Sequence, residues 1–337
     1  MQPSLNVSYS SEGGNGWMGM GWDMSIPAVS IDTRWGVPTY GVEQNGNYDT
    51  NNAKETEIYT LGGEQLTFKV GNSYVLPNRA EGFEQKRVDN LEPDNTKRFY
   101  PRIEGGYSKI IRKGNNPNNY VWIVTSKDGT RSCFGGDENG NVIENAVLRD
   151  TPIPDNSGNI GYWALYKTID TNGNYAKYEY NKSAYSSSGA LGNGGKEMYP
   201  SKIEYTLNDA NPSLKKYTVN FGYDAQQRED VQVNARLGFV QVTSRRLGNV
   251  QILYDGAKVR SYDFQYKTGA FSKSLLESIT EKDADDNIFY TNKVEYHEMP
   301  AEVFSSPKEW NVNITGVSPE ANSFSGNNSN FSSGSND

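Results

Sequence analysis

Few residues in this chain carry the side chains that enzymes use most often for chemistry. The 337 residues include one histidine, His297, and one cysteine, Cys133. A Ser-His-Asp or a Cys-His catalytic arrangement would in either case have to use His297. Metal sites built on histidine and cysteine need more of these residues than the chain has. We interpret His297 as a histidine that is either on the surface or satisfied by hydrogen bonds, and Cys133, beside Phe134, as a small buried apolar residue.

Carboxylates are plentiful, with 41 aspartates and glutamates, but none forms a recognisable site. The run Asp283–Asn287 loosely resembles a calcium loop. An EF-hand loop also needs glycine at its sixth position and glutamate at its twelfth. Here those positions hold Ile288 and Val294, so we interpret the run as a solvated turn. A glycosidase pair of acids stays open as an alternative, because nothing singles out two of the acids.

A glycine-rich opening and six tryptophans suggest two kinds of ligand site. The segment Gly14–Gly21 lacks the following helix and the lysine of a phosphate-binding loop. We therefore expect its glycines to allow a tight bend under Trp17 and Trp22. The tryptophans lie mostly in alternating segments, where core packing is the default, but a sugar-stacking platform stays open as a second alternative. They are Trp17, Trp22, Trp35, Trp122, Trp163 and Trp310.

Composition and charge exclude several classes of function. The net charge is −8, and basic residues are interspersed with acids, which argues against nucleic-acid binding. No run of about eighteen apolar residues is present, so we expect no insertion into a membrane. The hydrophobic share is 35% and the mean hydropathy is −0.77, which suits a sheet with one wet face. We predict no catalytic, cofactor-binding or metal-binding residue, no cofactor and no enzymatic activity.

The elements that must position these residues are strands. In Tyr217–Tyr223, apolar side chains alternate with polar ones, and the same pattern recurs in Ser261–Tyr266, which is typical of a pleated sheet. Turn-forming dipeptides separate such segments, and in tight hairpins both residues of Asn-Gly or Asp-Gly can take positive φ. A loose similarity between Lys167–Tyr180 and Ser278–Tyr296 suggests a repeated hairpin. The dipeptides are Asp128-Gly129, Asn139-Gly140, Asn172-Gly173 and Asp255-Gly256.

The segment Pro3–Tyr40 resembles the opening of the SpvB-type N-terminal domain. The family pattern reads P-x-L-x-L-x-Y-S-S-G-x-G-N-G, then G-x-G-W-x-L-x-x-P-x-I, then G-x-P-x-Y. One departure is Met24, where the family has leucine. The matching positions are Pro3, Leu5, Val7, Tyr9, Ser10, Ser11, Gly14, Asn15, Gly16, Gly19, Gly21, Trp22, Met24, Pro27, Val29, Gly36, Pro38 and Tyr40.

Three later segments are similar to the family in the same order along the chain. Tyr100–Tyr107 resembles its Y-R-P-R-I-E-G segment, and Val121–Gly135 resembles its W-x-V-x-T-K-D-G hairpin. Trp163–Tyr180 resembles its W-x-L…D-x-x-G-N unit, and both this unit and Ser278–Tyr296 look like degenerate Rhs/YD hairpins. The resemblance covers roughly residues 3–300.

The resemblance implies a fold class and a function. The fold would be all-β, a large hairpin-rich antiparallel sheet that forms a curved wall segment of an Rhs/YD-like β-shell. The function would be a non-catalytic, encapsulating domain of a secreted or cell-surface toxin-complex protein, enclosing a toxic C-terminal polypeptide. The implied partners are the rest of its own chain, a toxin C component and a pore-forming A component. A carbohydrate-binding surface module and a glycan-cleaving β enzyme remain the alternatives.

The chain divides into two parts by composition. We expect residues 1–300 to form the SpvB-like β domain, with an open edge strand near each end of it. Residues 301–337 become rich in asparagine, serine and glycine, which favours a linker that cannot bury enough apolar area to become ordered. The resemblance implies that a β-propeller domain follows.

Overall fold

The computed structural model describes residues 2–40, 54–76, 85–151, 158–185 and 195–297. These residues form 23 strands and three short 3-10 helices, at Thr33–Trp35, Glu144–Ala146 and Ala270–Ser272. The first twelve strands are β1 (Val7–Tyr9), β2 (Asn15–Gly16), β3 (Gly19–Met20), β4 (Trp22–Met24), β5 (Ala28–Ile31), β6 (Tyr59–Leu61), β7 (Glu64–Val70), β8 (Ser73–Val75), β9 (Lys97–Pro101), β10 (Lys109–Lys113), β11 (Val121–Thr125) and β12 (Arg131–Phe134). The remaining strands are β13 (Val147–Arg149), β14 (Ile160–Ile169), β15 (Asn174–Tyr185), β16 (Gly195–Asn208), β17 (Tyr217–Tyr223), β18 (Gln232–Asn234), β19 (Gln241–Thr243), β20 (Leu247–Tyr254), β21 (Ala257–Thr268), β22 (Ser274–Lys282) and β23 (Ile288–Lys293).

Eight of these strands close into an antiparallel barrel. In order around it, β5, β6, β7, β9, β10, β11, β12 and β14 each pair with the next strand. The ring closes where β14 pairs with β5, with Tyr162 opposite Ser30 and Trp163 opposite Val29. Strand β13 also pairs with β14, and β8 with β7. Closure removes the free edges that these strands would otherwise expose.

Aromatic side chains fill the barrel interior. The centroid of the Trp122 ring lies 4.8 Å from the centroids of Tyr59 and Phe99, and 6.0 Å from that of Trp163. These four side chains are at most 2% exposed, and Trp163 Nε1 donates to the carbonyl oxygen of Tyr120 at 2.7 Å. Full burial of one large apolar side chain stabilises a fold by roughly 1.5–3 kcal/mol. The barrel is therefore a packed core and not an open channel.

Strand β14 continues from the barrel into a second, longer sheet. Its last residues pair with β15, and the antiparallel order then runs through β16, β17, β20, β21, β22 and β23. The hairpin of β18 and β19 joins β16 through one parallel bridge, between Lys196 and Gln241. The all-β, hairpin-rich antiparallel fold is thus confirmed. Closure of part of it into a barrel is a feature that the sequence analysis did not predict.

The turn dipeptides adopt positive φ at their glycines, but only one has it at both residues. Asp255 and Gly256 have φ of 52° and 84° and join β20 to β21 as a two-residue hairpin loop. In the other three dipeptides only the glycine is in this region, with φ of 82° at Gly129, 96° at Gly140 and 79° at Gly173. The expectation for the central residues is therefore correct for one hairpin and wrong for the other three.

Three hairpins use one turn in which an aspartate caps the backbone. At the turn between β14 and β15, Asp170 Oδ1 accepts hydrogen bonds from the backbone N–H groups of Asn172 and Asn174, both at 2.9 Å. The same bonds form in the turns that begin at Asp137 and Asp283. Side-chain acceptors of this kind stabilise the turn locally. The similarity predicted between the β14–β15 and β22–β23 hairpins therefore extends to their turns.

The described strands belong to one compact unit, which comprises residues 1–295. The predicted linker, residues 301–337, lies outside the described residues. Within the described part of the chain, no helix is long and apolar enough to cross a membrane.

Candidate functional site

The glycine-rich opening is a small hairpin that docks onto the long sheet. Strands β2 and β3 pair through Asn15 and Gly16. Asn15 Nδ2 donates to Asp230 Oδ2 at 2.6 Å, and Arg228 Nη1 donates to the carbonyl oxygen of Gly16 at 2.5 Å. Arg228 Nη2 also donates to Asn15 Oδ1. The hairpin is therefore held by a polar network formed with residues more than two hundred positions later in the chain.

The centre of this network is a buried ion pair. Arg228 Nε lies 2.7 Å from Asp230 Oδ1, and the two side chains are 0% and 2% exposed. Ser274, at the start of β22, donates its backbone N–H and its hydroxyl to Asp230 at 2.6 and 2.8 Å. Burial alone would raise the pKa of Asp230, but the hydrogen bonds from Arg228, Ser274 and Asn15 hold it well below its usual range. We call Asn15, Arg228, Asp230 and Ser274 the N-terminal clamp.

Glycine is required where the hairpin approaches the sheet. Gly19 and Gly21 have φ of 84° and 77°, a region that other residues rarely adopt. A Cβ on Gly19 would lie 2.7 Å from the carbonyl oxygen of Ser274, and one on Gly21 would lie 2.7 Å from that of Ser10. The backbone N–H of Gly21 already donates to Gly14. These glycines allow the tight bend that the sequence predicted, and they also permit a close approach to the backbone of the sheet, which it did not predict.

Trp17 packs the hairpin against the long sheet. Its ring centroid lies 6.5 Å from that of Phe221 and 6.1 Å from that of Tyr223, both on β17. The carbonyl oxygen of Trp17 accepts the N–H of Leu247, the first residue of β20, at 2.8 Å. Three strands of the sheet, β17, β20 and β22, thus contact one N-terminal hairpin through Trp17 and the clamp. The opening motif has a positional role in holding these strands together.

A second buried charge cluster lies on the barrel. Glu55 accepts from both terminal nitrogens of Arg112, at 2.9 and 2.7 Å, and from Lys97 Nζ at 3.2 Å. The three side chains are 1–2% exposed. The guanidinium Cζ of Arg112 lies 3.9 Å from the ring centroid of Tyr120. Burial favours protonation of Glu55, but the adjacent Arg112 and Lys97 lower its pKa to about 2.

A buried carboxylate with a shifted pKa is also a candidate catalytic group. Both oxygens of Glu55 are engaged by cations, and its side chain is only 1% exposed. The carboxylate therefore has no face on which a substrate could approach it. We interpret the cluster as structural, with the bidentate geometry compensating part of the cost of burying the charges.

The residues that the sequence offered as candidate catalytic or metal-binding groups do not form a common site. His297 is exposed and follows β23. Cys133 is fully buried, and burial raises the pKa of its thiol to about 12. The carboxylate of Asp283 accepts from the N–H groups of Asp285 and Asn287 in its own turn. Within the described ranges, no group of three or more histidine, cysteine, aspartate or glutamate side chains could hold a metal ion.

Three of the surface cavities are lined by acids, and none of these three brings two free carboxylates together. One, of about 370 Å³, has Glu104 as its single acid. Another, of about 580 Å³ beside Arg87 and Tyr120, is lined by one acid, Asp94. The third, of about 560 Å³, is lined by Asp224 and Glu229. Asp224 is ion-paired with Arg246 at 2.9 Å, and Glu229 is exposed. This arrangement does not provide the acid pair that the glycan-cleaving alternative requires.

The tryptophans do not form a row on one surface. Trp122 and Trp163 are fully buried in the barrel, and Trp17 and Trp22 are half-buried. Trp35 is 69% exposed. Trp310 lies outside the described residues. The carbohydrate-binding alternative needs several exposed tryptophans aligned on one face, and the five described ones do not have this arrangement.

Strand β23 forms a free edge of the long sheet. Among the described residues it pairs with β22 alone. Its Ile288, Phe289 and Tyr290 side chains are 66%, 76% and 57% exposed, and alternation places the middle one on the opposite face from its neighbours. Near the other end of the chain, β1 pairs with β4 in a two-stranded sheet. Near each end of the unit there is therefore a short strand, β1 or β23, that pairs on one side only among the described residues.

Residues 1–236 match the SpvB family, described as Salmonella virulence plasmid 65kDa B protein. The match includes the N-terminal hairpin and the Arg228 and Asp230 side chains that hold it. The chain belongs to the SpvB family. The family resemblance found in the sequence is thus confirmed, and in this SpvB family member it coincides with the residues that attach the opening hairpin to the sheet.

The curated relatives are longer proteins. The chain is 24% identical over 181 residues to the mono(ADP-ribosyl)transferase SpvB of Salmonella choleraesuis and to that of Salmonella enteritidis. Each match covers 53% of this chain and 27% of the relative. The chain therefore spans about a quarter of the curated relatives it matches.

Solved structures share the fold. The N-terminal domain of the effector protein SpvB from Salmonella typhimurium strain LT2 aligns with a TM-score of 0.60 at 19% identity, over 83% of this chain and 94% of that one. A chain of the TcdB2-TccC3 structure aligns with a TM-score of 0.59 at 16% identity, over 86% of this chain and 15% of that one. A chain of the Photorhabdus luminescens Tc holotoxin pore aligns with 0.61 at 16%, over 86% and 14%. This SpvB family member thus resembles part of a toxin-complex B component in fold.

The sequence analysis missed the Arg228, Asp230 and Ser274 members of the clamp and the Glu55 cluster. The clamp unites residues that are distant in sequence, and no local pattern marks them. Arg112 did leave a signal, because it alternates with the buried Ile110 on β10 and so occupies an inward position.

Proposed function

We propose that this chain is a non-catalytic wall domain of a toxin-complex protein, and that it forms part of a β-shell around a toxic polypeptide. The observation that carries the proposal is the long antiparallel sheet, which in the described part of the chain ends at β23 with an unpaired side and exposed apolar side chains. A free, apolar edge strand is prone to pair with any other strand, so native proteins normally cover it. The proposed cover is a further strand of the shell.

The barrel and the clamp support this mechanical role. The packed barrel gives the sheet a rigid base at β14. The N-terminal hairpin fixes the later strands, through Trp17 at β17 and β20 and through the clamp at β22. Cross-strand ion pairs stabilise the rest of the sheet, for example Lys202 with Glu179 at 3.0 Å and Lys282 with Asp263 at 2.5 Å. Such a sheet can keep a fixed curvature without being closed on itself.

The proposed partners and location follow from the same assignment. The rest of its own polypeptide and a toxin C component would complete the shell, and a pore-forming A component would receive the cargo. The TcdB2-TccC3 and Tc holotoxin structures that share the fold support these partners. The proposed location is secreted or at the cell surface.

Hydrogen–deuterium exchange at β23 tests the wall assignment. The exchange of the β23 backbone amides is measured in the 337-residue chain alone and in the assembled polypeptide with a toxin C component. We expect at least about a tenfold slowing of β23 amides on assembly, because pairing protects amides that were open to water. Amides of β11, inside the barrel, provide the control and should not change. Equal exchange at β23 in both samples would refute the assignment.

A lysine substitution on the edge provides a second test. Phe289→Lys should leave the stability of the isolated chain within about 0.5 kcal/mol, since the side chain is exposed. It should weaken assembly, since lysine on an edge strand opposes pairing. Phe271→Lys is the matched control, because Phe271 is 86% exposed and lies off this edge. If both variants assemble as well as the parent chain, β23 is not the contact.

The non-catalytic part of the proposal needs its own measurement. The chain is incubated with radiolabelled NAD and a cell extract, and transfer of ADP-ribose to protein is followed. We expect no transfer above the level of a buffer control. Transfer of ADP-ribose that depends on this chain would overturn the non-catalytic assignment. The wall assignment would then still be tested separately, by hydrogen–deuterium exchange at β23.

A further inference from the structure

The outer wall of the barrel carries basic and aromatic side chains on β7, β8 and β9. Alternation places Phe68 and Phe99 inside the barrel, where both are at most 1% exposed. The same alternation places Lys69 and Arg98, their chain neighbours, on the outer face. Register aligns Lys69 with Tyr74 on β8. We call Lys69, Tyr74, Arg98, Tyr100 and Arg102 the basic aromatic face.

Four of the five members of this face, all except Arg102, are in mutual contact. Lys69 Nζ lies 4.7 Å from the ring centroid of Tyr74 and 5.1 Å from that of Tyr100. The guanidinium Cζ of Arg98 lies 5.0 Å from the Tyr100 centroid. The two tyrosine rings meet edge to face at 5.3 Å, and Tyr74 is 60% exposed. Cation–π contact fixes the long basic side chains and reduces the entropy that a ligand would have to remove.

The cations of this face have no acidic partner within residues 54–76 and 85–151. Lys69 and Arg98 form no ion pair there, and Arg98 Nε has no hydrogen-bond partner. Arg102 Nη1 donates to a neutral acceptor, Gln65 Oε1, at 2.7 Å. In the long sheet, by contrast, several cations are paired across strands, as Lys202 is with Glu179 at 3.0 Å. On a chain of net charge −8, this wall carries cations that no ion pair engages within these ranges.

A cavity of about 370 Å³ opens between the two tyrosines. Leu76, Pro101 and the two tyrosine rings form its apolar walls. Arg102 and Glu104 are the charged residues that line it. Glu104 Oε1 accepts the N–H of Tyr107 at 2.5 Å and so is engaged within its own loop. The cavity can therefore take a bulky apolar side chain whose neighbours in sequence reach the cations.

From this juxtaposition we infer that the basic aromatic face binds an extended acidic peptide segment that carries bulky apolar residues. Carboxylates of the segment pair with Lys69 and Arg98, and an apolar side chain occupies the cavity between Tyr74 and Tyr100. A sulfated glycan would satisfy the charges but has no apolar side chain for the cavity. The partner is accordingly an acidic polypeptide region, and this inference is independent of the proposed wall function.

The test uses fluorescent 12-residue peptides and the 337-residue chain. The probe repeats Glu-Glu-Phe four times, and two comparison peptides repeat Gln-Gln-Phe and Glu-Glu-Ser. A heparin oligosaccharide of similar length is the glycan arm. Binding is measured by fluorescence anisotropy at about 50 and 200 mM salt, since contacts between exposed charges weaken as salt screens them.

Two double variants locate the site. Lys69→Gln with Arg98→Gln removes two charges from the face. Arg236→Gln with Lys215→Gln removes the same charge from two exposed positions elsewhere on the chain. We expect the first variant to weaken binding of the Glu-Glu-Phe peptide about tenfold, or about 1.4 kcal/mol, and the second to leave it within about twofold. Tyr74→Ala should weaken binding of the Glu-Glu-Phe peptide and leave that of the Glu-Glu-Ser peptide unchanged.

Each outcome decides the inference. Support requires that the Glu-Glu-Phe peptide binds more tightly than both comparison peptides, and that only the face variant loses this binding. Binding weaker than about 1 mM for every peptide overturns it. Preference for heparin over the Glu-Glu-Phe peptide overturns it in favour of a glycan. Equal loss in both double variants shows a general charge effect and also overturns it. Thermal unfolding of each variant confirms that the chain is folded.

Discussion

Replacing Glu55 by glutamine removes the negative charge from the buried cluster on the barrel and keeps the side-chain shape. Arg112 and Lys97, each 2% exposed, then remain buried without their carboxylate. Breaking a buried ion pair in this way typically costs about 3–5 kcal/mol. The pKa of Glu55 gives a similar magnitude. Its fall from 4.5 to about 2 spans about 2.5 units, and each unit is worth about 1.36 kcal/mol, giving about 3 kcal/mol.

The sign of the pH dependence follows from the lowered pKa of Glu55. A carboxyl whose pKa is lower in the folded state stabilises the fold above its unfolded pKa. For Glu55 this stabilisation is complete above pH 4.5 and is lost as the pH falls toward 2. The parent chain should therefore lose about 3 kcal/mol across this window through Glu55 alone. Glu55→Gln should lack this component of the acid dependence.

Lys97 provides a second signature at alkaline pH. Burial lowers the pKa of Lys97, and Glu55 opposes that shift. Glu55→Gln removes the negative charge that raises the pKa of Lys97. In this variant the folded state therefore favours neutral Lys97 more strongly. A lysine with a lowered folded pKa adds stability as the pH rises from its folded toward its unfolded pKa. The variant should therefore regain stability as the pH rises toward 10.5, the ordinary lysine pKa, and Lys97→Met added to it should recover part of the loss at pH 7.

Urea unfolding, followed by tryptophan fluorescence, measures these effects. Trp122 lies against the cluster, 5.9 Å from the Arg112 guanidinium, and reports on the barrel directly. Glu12→Gln is the matched control, since Glu12 is exposed and its change should stay within about 0.5 kcal/mol. A free energy of unfolding for Glu55→Gln within that range of the parent, with the same acid dependence, would refute the account of the cluster.

Three further predictions concern the clamp, the turns and the cysteine. Asn15→Ala should cost about 1–3 kcal/mol, because it removes a part-buried hydrogen bond to the buried Asp230, and should expose the N-terminal hairpin to limited proteolysis; Asn6→Ala, an exposed change, should do neither. Gly173→Ala should cost about 1–2 kcal/mol in urea unfolding through positive φ alone, since its Cβ meets only one atom, at 3.9 Å. Gly135→Ala should cost clearly more, because its Cβ would also meet the Trp163 ring at 2.3 Å, and equal losses would argue against that contact. Cys133 should resist alkylation by iodoacetamide at pH 8 until urea unfolds the chain, because only the thiolate reacts and burial raises the thiol pKa to about 12; rapid labelling of the folded chain would contradict the burial.

Local patterns in the sequence predicted the strand content and the hairpins. Alternation along Tyr217–Tyr223 predicted β17, because a strand places successive side chains on opposite faces. The Asp255-Gly256 turn followed from its two residues, since a tight hairpin needs positive φ at both. At Asn172-Gly173 the same rule failed, because the side chain of Asp170 selects a different turn in which only the glycine has positive φ.

The opening motif showed the family but not the reason for its residues. The pattern around Asn15 and Gly16 is local and can be read in the sequence. Its partner Arg228 lies 213 positions away from Asn15, and nothing in a local pattern relates two positions at that distance. The motif therefore predicted a tight bend correctly and left its attachment to the sheet undetermined.

The sequence by itself determined what depends on neighbouring residues, namely strands, turns, net charge and the scarcity of histidine and cysteine. The tertiary structure decided what depends on long-range pairing. Closure of the barrel joins Ser30 to Tyr162, and this pairing creates the interior in which Glu55, Lys97 and Arg112 become a buried charge cluster. The same closure turns Lys69 and Arg98 outward together. Such contacts are set by packing and register across the whole sheet, because burial and charge pairing depend on which distant strands become neighbours.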